Sequence, residues 1–123
     1  TRHSIQNLGL RLEAGSPTKV FCYSGDGMFT PTASKLYTNA DLLVHDSYSQ
    51  DGTVQNFRKE TITIGTKTHC SMQQLERLDD MARPKKMALI HVNRTLRKNR
   101  TEILKKYKQR RWIMPEPGDV IQL

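Results

Sequence analysis

The stretch Ala40-Asp41-Leu42-Leu43-Val44-His45-Asp46 decides the fold. Its three consecutive apolar residues read as a strand covered on both faces, as in a parallel or mixed sheet packed under helices. A histidine and a carboxylate follow directly where that strand would leave the sheet.

Upstream, residues 5–13 end in the alternating Leu8, Leu10 and Leu12 and predict a strand, closed by the turn Ala14-Gly15-Ser16-Pro17. Residues 19–24 predict the second arm of a hairpin, which Gly25-Asp26-Gly27 ends abruptly. Thr30-Pro31 with Ala33, Leu36 and Tyr37 predicts a short helix with a threonine cap and proline in its first position, closed by Asn39. Downstream, residues 47–68 are polar, contain Gly52 and Gly65, and predict a long loop with one extended piece near 62–64. Ser71 then caps a helix whose apolar face is Met72, Leu75, Leu78 and Met81 or Ala82, stopped by Pro84.

Residues 86–92 enclose Met87-Ala88-Leu89-Ile90, a second buried strand. Asn99 with Glu102 predicts a capping-box start to a helix running towards Arg110, with Ile103, Leu104 and Tyr107 inward. Trp112-Ile113-Met114 is short and apolar, and residues 118–123 predict a last strand around Val120-Ile121. Strands alternating with helices after an initial hairpin imply an α/β layered architecture.

A chain of 123 residues supports one core, so residues 1–123 are expected to form a single unit. With 36% hydrophobic and 26% charged residues the composition is not that of a disordered polymer. No apolar run of about 18 residues occurs, so no membrane span is expected. The chain opens at Thr1 with a histidine-bearing segment already in progress, and the expectation is that an N-terminal part is missing. Cys22 and Cys70 lack the spacing of a zinc knuckle or redox pair, which suits reduced thiols and a cytoplasmic location.

The formal net charge is +8, and twelve of the twenty Lys and Arg lie between Arg83 and Arg111, where Glu102 is the only acid. Such density attracts a polyanion, RNA among them. A solvated helix face is the other reading of the same run.

In open α/β sheets ligands gather beyond the carboxyl ends of the strands. Asp26, His45 with Asp46, and His91 each fall at such an end. A carboxylate on a tight turn can reach two cations, although turns are rich in aspartate for other reasons. A histidine after an apolar strand suits zinc, although a satisfied core histidine is its rival. His69, just before a helix cap, sits where the imidazolium is disfavoured unless a carboxylate compensates, and Asp46 is the candidate. A positioned His-Asp pair suits proton transfer to a leaving oxygen.

Five segments in this order resemble the second half of the metallo-β-lactamase superfamily, in its phosphodiesterase branch typified by ribonuclease Z. They are His3-Ser4-Ile5 before the hairpin, Tyr23-Ser24-Gly25-Asp26-Gly27, the strand ending in His45-Asp46, Thr68-His69-Cys70-Ser71, and Leu89-Ile90-His91. The resemblance implies the C-terminal half of an αββα sandwich, a mixed sheet with flanking helices. It implies a pair of zinc ions, or manganese or another divalent metal, activating water for attack on phosphorus. His3 would bind one ion, Asp26 would bridge both and His91 would bind the other. His69 would protonate the departing oxygen, oriented by Asp46, and Arg94 would contact substrate.

Two departures stand out. The family usually has glutamate where this chain has Asp46, so a shorter reach is expected. The family's His-x-His-x-Asp-His signature, carried in its N-terminal half, is absent. An active dinuclear centre and a covered sheet would then need the missing N-terminal half or a second copy of the chain, in a homodimer. Without it, an apolar face including Val20, Leu42, Val44 and Leu89 is expected to lie open. Rivals to the phosphodiesterase reading are an inactive nucleic-acid-binding or assembly module, and an acyl hydrolase acting on a lactam or thioester.

Overall fold

The computed structural model describes residues 8–56, 58–63 and 69–123. Strands β1 (Leu10–Ala14) and β2 (Lys19–Tyr23) form the expected antiparallel hairpin. The part of the predicted first strand that precedes Leu8 lies outside the described residues. β3 (Leu42–Asp46) runs parallel to β2, and β6 (Met87–Ile90) parallel to β3. A two-residue β7 (Trp112–Ile113) adds in parallel at the edge, giving a mixed sheet in the order β1-β2-β3-β6-β7.

Helix α1 (Pro31–Leu36) has the Thr30 side chain accepting from the Ala33 N–H at 3.1 Å. Asn39 follows it in the left-handed region at φ 56°. Helix α2 (Met72–Ala82) begins with a complete capping box, in which Ser71 and Gln74 exchange side-chain and backbone bonds at 3.2 and 2.8 Å. Its inward stripe is Met72, Leu75, Leu78 and Ala82, while Met81 faces out.

Three expectations need correction. The extended piece expected near 62–64 is β5 (Thr61–Thr63), but it has a partner that was not expected: Thr53–Gln55 (β4) pairs antiparallel with it, and Asn56 Oδ1 between them accepts from the N–H groups of Arg58 and Glu60. The helix after β6 starts earlier than Asn99. Asn93 caps α3 (Arg94–Lys98) through a 3.1 Å bond from the Leu96 N–H. Asn99 donates its own N–H back into α3 and caps nothing with its side chain at the start of α4 (Arg100–Lys106). An N-cap needs an extended backbone, and Asn99, at φ −99° and ψ 22°, is not extended. Finally, residues 118–123 form no strand. The Glu116 and Asp119 backbone and side chain close a turn that takes the chain off the sheet, leaving Val120 88% exposed.

The sheet's two faces differ. By the period-2 rule, Cys22, Leu43, His45, Met87, Leu89 and Trp112 share the face under the helices, where they join Tyr37, Leu75 and Leu78 in the core. Leu10, Leu12, Phe21, Tyr23, Leu42, Val44, Ala88 and Ile113 share the other face, and none of these belongs to that core. The expectation of an open apolar face therefore holds in kind but mixed residues of two faces. Leu89 is buried under helices, and Leu42 is only 4% exposed; the open positions are Leu10, Leu12 and Tyr23. Among the described residues, no helix is long and apolar enough to cross a membrane.

Candidate metal and catalytic site

β2, β3 and β6 are parallel, so their carboxyl ends lie on one side of the sheet, and each end delivers a polar residue there. β2 passes into Gly25-Asp26-Gly27, where Gly25 and Gly27 take φ 66° and 112°. Those angles strain any residue with a Cβ, so the turn that presents Asp26 depends on its glycines. β3 ends on Asp46 itself. β6 passes into His91, a non-glycine residue at φ 54°.

The structure brings Asp26 and His91 together, with Oδ1 and Nδ1 3.1 Å apart and both side chains substantially exposed. It brings Asp46 and His69 together at 2.8 Å, the carboxylate fully buried and the imidazole at its rim. His3 lies outside the described residues. Ligand atoms of Asp46, His69 and His91 all fall within 4.8 Å of one another.

The second pair has a defined polarity. Asp46 Oδ2 accepts the Gly27 N–H at 2.6 Å, and the Asp46 N–H donates to Ser24 Oγ at 3.1 Å. Burial pushes the Asp46 carboxyl above its ordinary value, while the Gly27 bond and His69 pull it back. With Oδ2 acting as an acceptor, His69 Nδ1 carries the proton, and any proton exchanged with a substrate moves at Nε2. Asp46 Oδ1, also buried, has no hydrogen-bond partner among the described residues.

One neighbour of the site escaped the sequence. Tyr48 stacks on His69 with ring centres 4.8 Å apart and meets His91 edge-on at 5.4 Å, so one ring contacts both imidazoles. Its carbonyl is held by the Asn93 backbone and side-chain N–H groups at 3.1 and 2.6 Å. Its place two residues beyond Asp46 was the available signal. His45, one residue before the carboxylate, points the opposite way into the core. Its Nδ1 donates to the Asp46 carbonyl at 2.9 Å, its ring meets Phe29 and Tyr37 edge-on, and burial holds its pKa down to about 4. It is a neutral core histidine.

Two clefts border the Tyr48–His69 stack. One of about 240 Å³ is lined by His69, Ser49, Ser71 and Gln74. The other, about 400 Å³, is lined by Tyr48, Asn93 and Arg94. Arg94 is thus near Tyr48 but outside the cleft that His69 lines. Both cysteines are buried free thiols, and burial pushes Cys70 up to about 12, so neither offers a ready thiolate.

Do these residues suit a divalent metal? Two donors on one tetrahedral zinc, each about 2.1 Å from it, stand roughly 3.4 Å apart. The 3.1 Å between Asp26 and His91 is close to that spacing, and mixed nitrogen and oxygen donors are those zinc accepts. The fit is that of a partial site, because a catalytic zinc takes about three protein ligands.

No family model matches the chain, and no curated protein does. Solved structures do. Human tRNase Z, short form, aligns over 98% of this chain and 39% of its own, with a TM-score of 0.68 at 20% identity. The metallo-beta-lactamase fold protein YhfI from Bacillus subtilis aligns over 99% of this chain and 47% of its own, with a TM-score of 0.73 at 18% identity. The chain has a metallo-β-lactamase-type fold, a mixed sheet with flanking helices. It spans less than half the length of either structure.

Proposed function

We propose that this chain is the C-terminal portion of a metal-dependent hydrolase that cleaves phosphodiesters, an endoribonuclease of the ribonuclease Z type. The observation that carries the reading is the delivery of two His-carboxylate pairs, Asp26–His91 and Asp46–His69, to the carboxyl ends of three adjacent parallel strands. The human structure that shares the fold is named a tRNase Z.

In this reading His3, Asp26 and His91 would together hold two ions, zinc or manganese. The bound metals would supply a nucleophilic water at neutral pH and Lewis acidity towards the phosphoryl oxygens. The chain's own residues do the rest. His69 gives the proton on Nε2 to the departing ribose oxygen, and Asp46 fixes the tautomer and stabilises the charged ring. Tyr48 holds the His69 ring by stacking, and Arg94 contacts a phosphate from the neighbouring cleft. The remaining ligands come from the N-terminal half or from a second copy of the chain. A cytoplasmic location accompanies two free thiols.

The test is turnover of an RNA carrying a 3′ extension by the protein with its upstream coding sequence, with zinc or manganese added. Separate His91→Ala and His69→Ala variants should each lose turnover while keeping RNA binding. Turnover unchanged in both variants, or hydrolysis of a thioester or lactam with none of RNA, would end this reading.

A further inference from the structure

We infer that a basic groove at the end of the sheet opposite the two His-carboxylate pairs seats the phosphodiester backbone of a structured RNA. The inference deepens the reading above, on which it rests for the choice of RNA.

Two chain reversals build the groove. α2 hands over to β6 through Arg83 and Pro84, and α4 hands over to β7 through a 3₁₀ turn (Lys108–Arg110) and Arg111. β6 and β7 are parallel neighbours, so both reversals sit at their amino ends, whereas His91 follows the carboxyl end of β6. Between the reversals lies an open groove of about 1090 Å³, with Arg83 from one side and Lys105, Lys106, Lys108 and Arg111 from the other.

These five cations are exposed, and none forms an ion pair among the described residues. Of the acids in the groove, Asp79 and Asp80 are both taken by Arg110, each at 3.0 Å, which leaves Glu76 alone against five unpaired charges. Compensation of helix dipoles accounts for only part of this. It covers Lys105 and Lys106 in the last turn of α4 and falls off beyond that turn. Arg83 and Arg111 lie past their helices in left-handed backbone, at φ 50° and 57°, where glycine or asparagine is the less costly residue.

Shape and distance select the ligand. β6 has four residues, so the groove and His91 stand roughly 13 Å apart at about 3.3 Å per residue. A nucleotide advances about 3.4 Å along a B-form duplex axis and less along an A-form one, so touching both ends takes at least about four base pairs. A mononucleotide cannot bridge them; a folded RNA helix can. An anionic membrane is the poorer match, because the cations face one another across a concavity and no large exposed apolar residue lines it.

The experiment is fluorescence anisotropy of the full chain with an RNA hairpin of about 16 base pairs, at a series of potassium chloride concentrations. The triple variant Arg83→Asn, Lys108→Gln, Arg111→Asn keeps residues that tolerate left-handed backbone. It should bind at least tenfold more weakly and lower the salt-dependence slope by about 2 to 3, at about 0.9 per phosphate contact. Should it misfold, the exposed pair Lys105→Gln, Lys106→Gln on α4 should reduce the slope by about 2. Affinity and slope unchanged in a folded variant overturn the proposal, as does equal affinity of the native chain for vesicles of anionic phospholipid. Zinc uptake is read on the protein with its upstream coding sequence, where the ligand set is complete in the reading above. Groove-dependent RNA binding without zinc uptake by that protein supports the groove and defeats the metal reading.

Discussion

Asp46 Oδ2 stands 2.8 Å from His69 Nδ1, although its side chain is one methylene shorter than the glutamate expected at that position. The anticipated shortfall in reach does not occur, because β3 carries the carboxylate to the strand end and the Gly27 N–H holds the same oxygen at 2.6 Å. Asp46→Glu should then push a methylene into a fully buried site and cost about 1–3 kcal/mol, seen as a lower urea midpoint. A glutamate variant as stable as the native chain would show that the site has room to spare.

Removing only the charge tests the role rather than the packing. Asp46→Asn should leave the fold in place and lower phosphodiester turnover in the whole protein by about 10²-fold or more. The loss should appear in kcat and not in RNA affinity. An equal loss in binding would point to a collapsed site instead.

Metal content separates the two pairs. In the whole protein, His91→Ala should release one of two bound zinc ions on dialysis, whereas Asp26→Asn, placed between them, should weaken both. Elemental analysis reads this directly. Two ions retained in both variants would remove Asp26 and His91 from the ligand set.

The buried His45 predicts a pH dependence of stability. Burial lowers its pKa from 6.5 to about 4, so the fold favours the neutral ring. A lowered folded value means that stability is intact above pH 6.5 and falls as pH drops from 6.5 towards 4, by roughly 3 kcal/mol at 1.36 kcal/mol per pKa unit. Asp46 acts in the opposite sense, because its raised value favours the protonated form in the fold as pH falls. The informative quantity is therefore the native chain minus His45→Gln, which keeps a donor for the Asp46 carbonyl and cannot titrate. Parallel stability curves for the two proteins between pH 4 and 7 would rule out a neutral buried histidine.

How far the sequence disclosed this arrangement depends on the length of its signals. The run Leu42-Leu43-Val44, the Gly25-Asp26-Gly27 turn and the Ser71 cap are local codes, and each appears where it was read. β4 and β5 hold three residues each, too few for a period-2 pattern to rise above polar surroundings. The start of α3 differs because Asn99 with Glu102 matches the capping pattern locally, and only backbone angles show that Asn93 is the residue that caps. The pairings Asp26–His91 and Asp46–His69 span 65 and 23 residues, and no local rule supplies them. Asp46 matches His69 as the carboxylate that a histidine beside a helix cap needs. The convergence of Asp26 and His91, though not their direct contact, follows from the resemblance together with the tendency of ligands to gather at strand carboxyl ends. Tyr48 offered only its place two residues beyond Asp46 as a signal, because its role comes from contact with two histidines that are distant in sequence and meet each other with ring centres 4.7 Å apart.

The exposed apolar strip of the β1–β2 hairpin bears on what packs against it. Leu10, Leu12 and Tyr23 lie on the face without helices, at 43%, 52% and 36% exposure. Apolar surface of this kind drives association at about 25 cal/mol per Å² covered, so the isolated chain should self-associate in sedimentation velocity, and Leu10→Lys with Leu12→Lys should shift it towards monomer. The same pair introduced into the protein with its upstream sequence distinguishes the two candidate covers. If an N-terminal half lies on this face, the lysines are buried without partners; stability then falls while the oligomeric state stays the same. If a second copy lies there instead, the assembly dissociates and the monomer keeps its melting temperature.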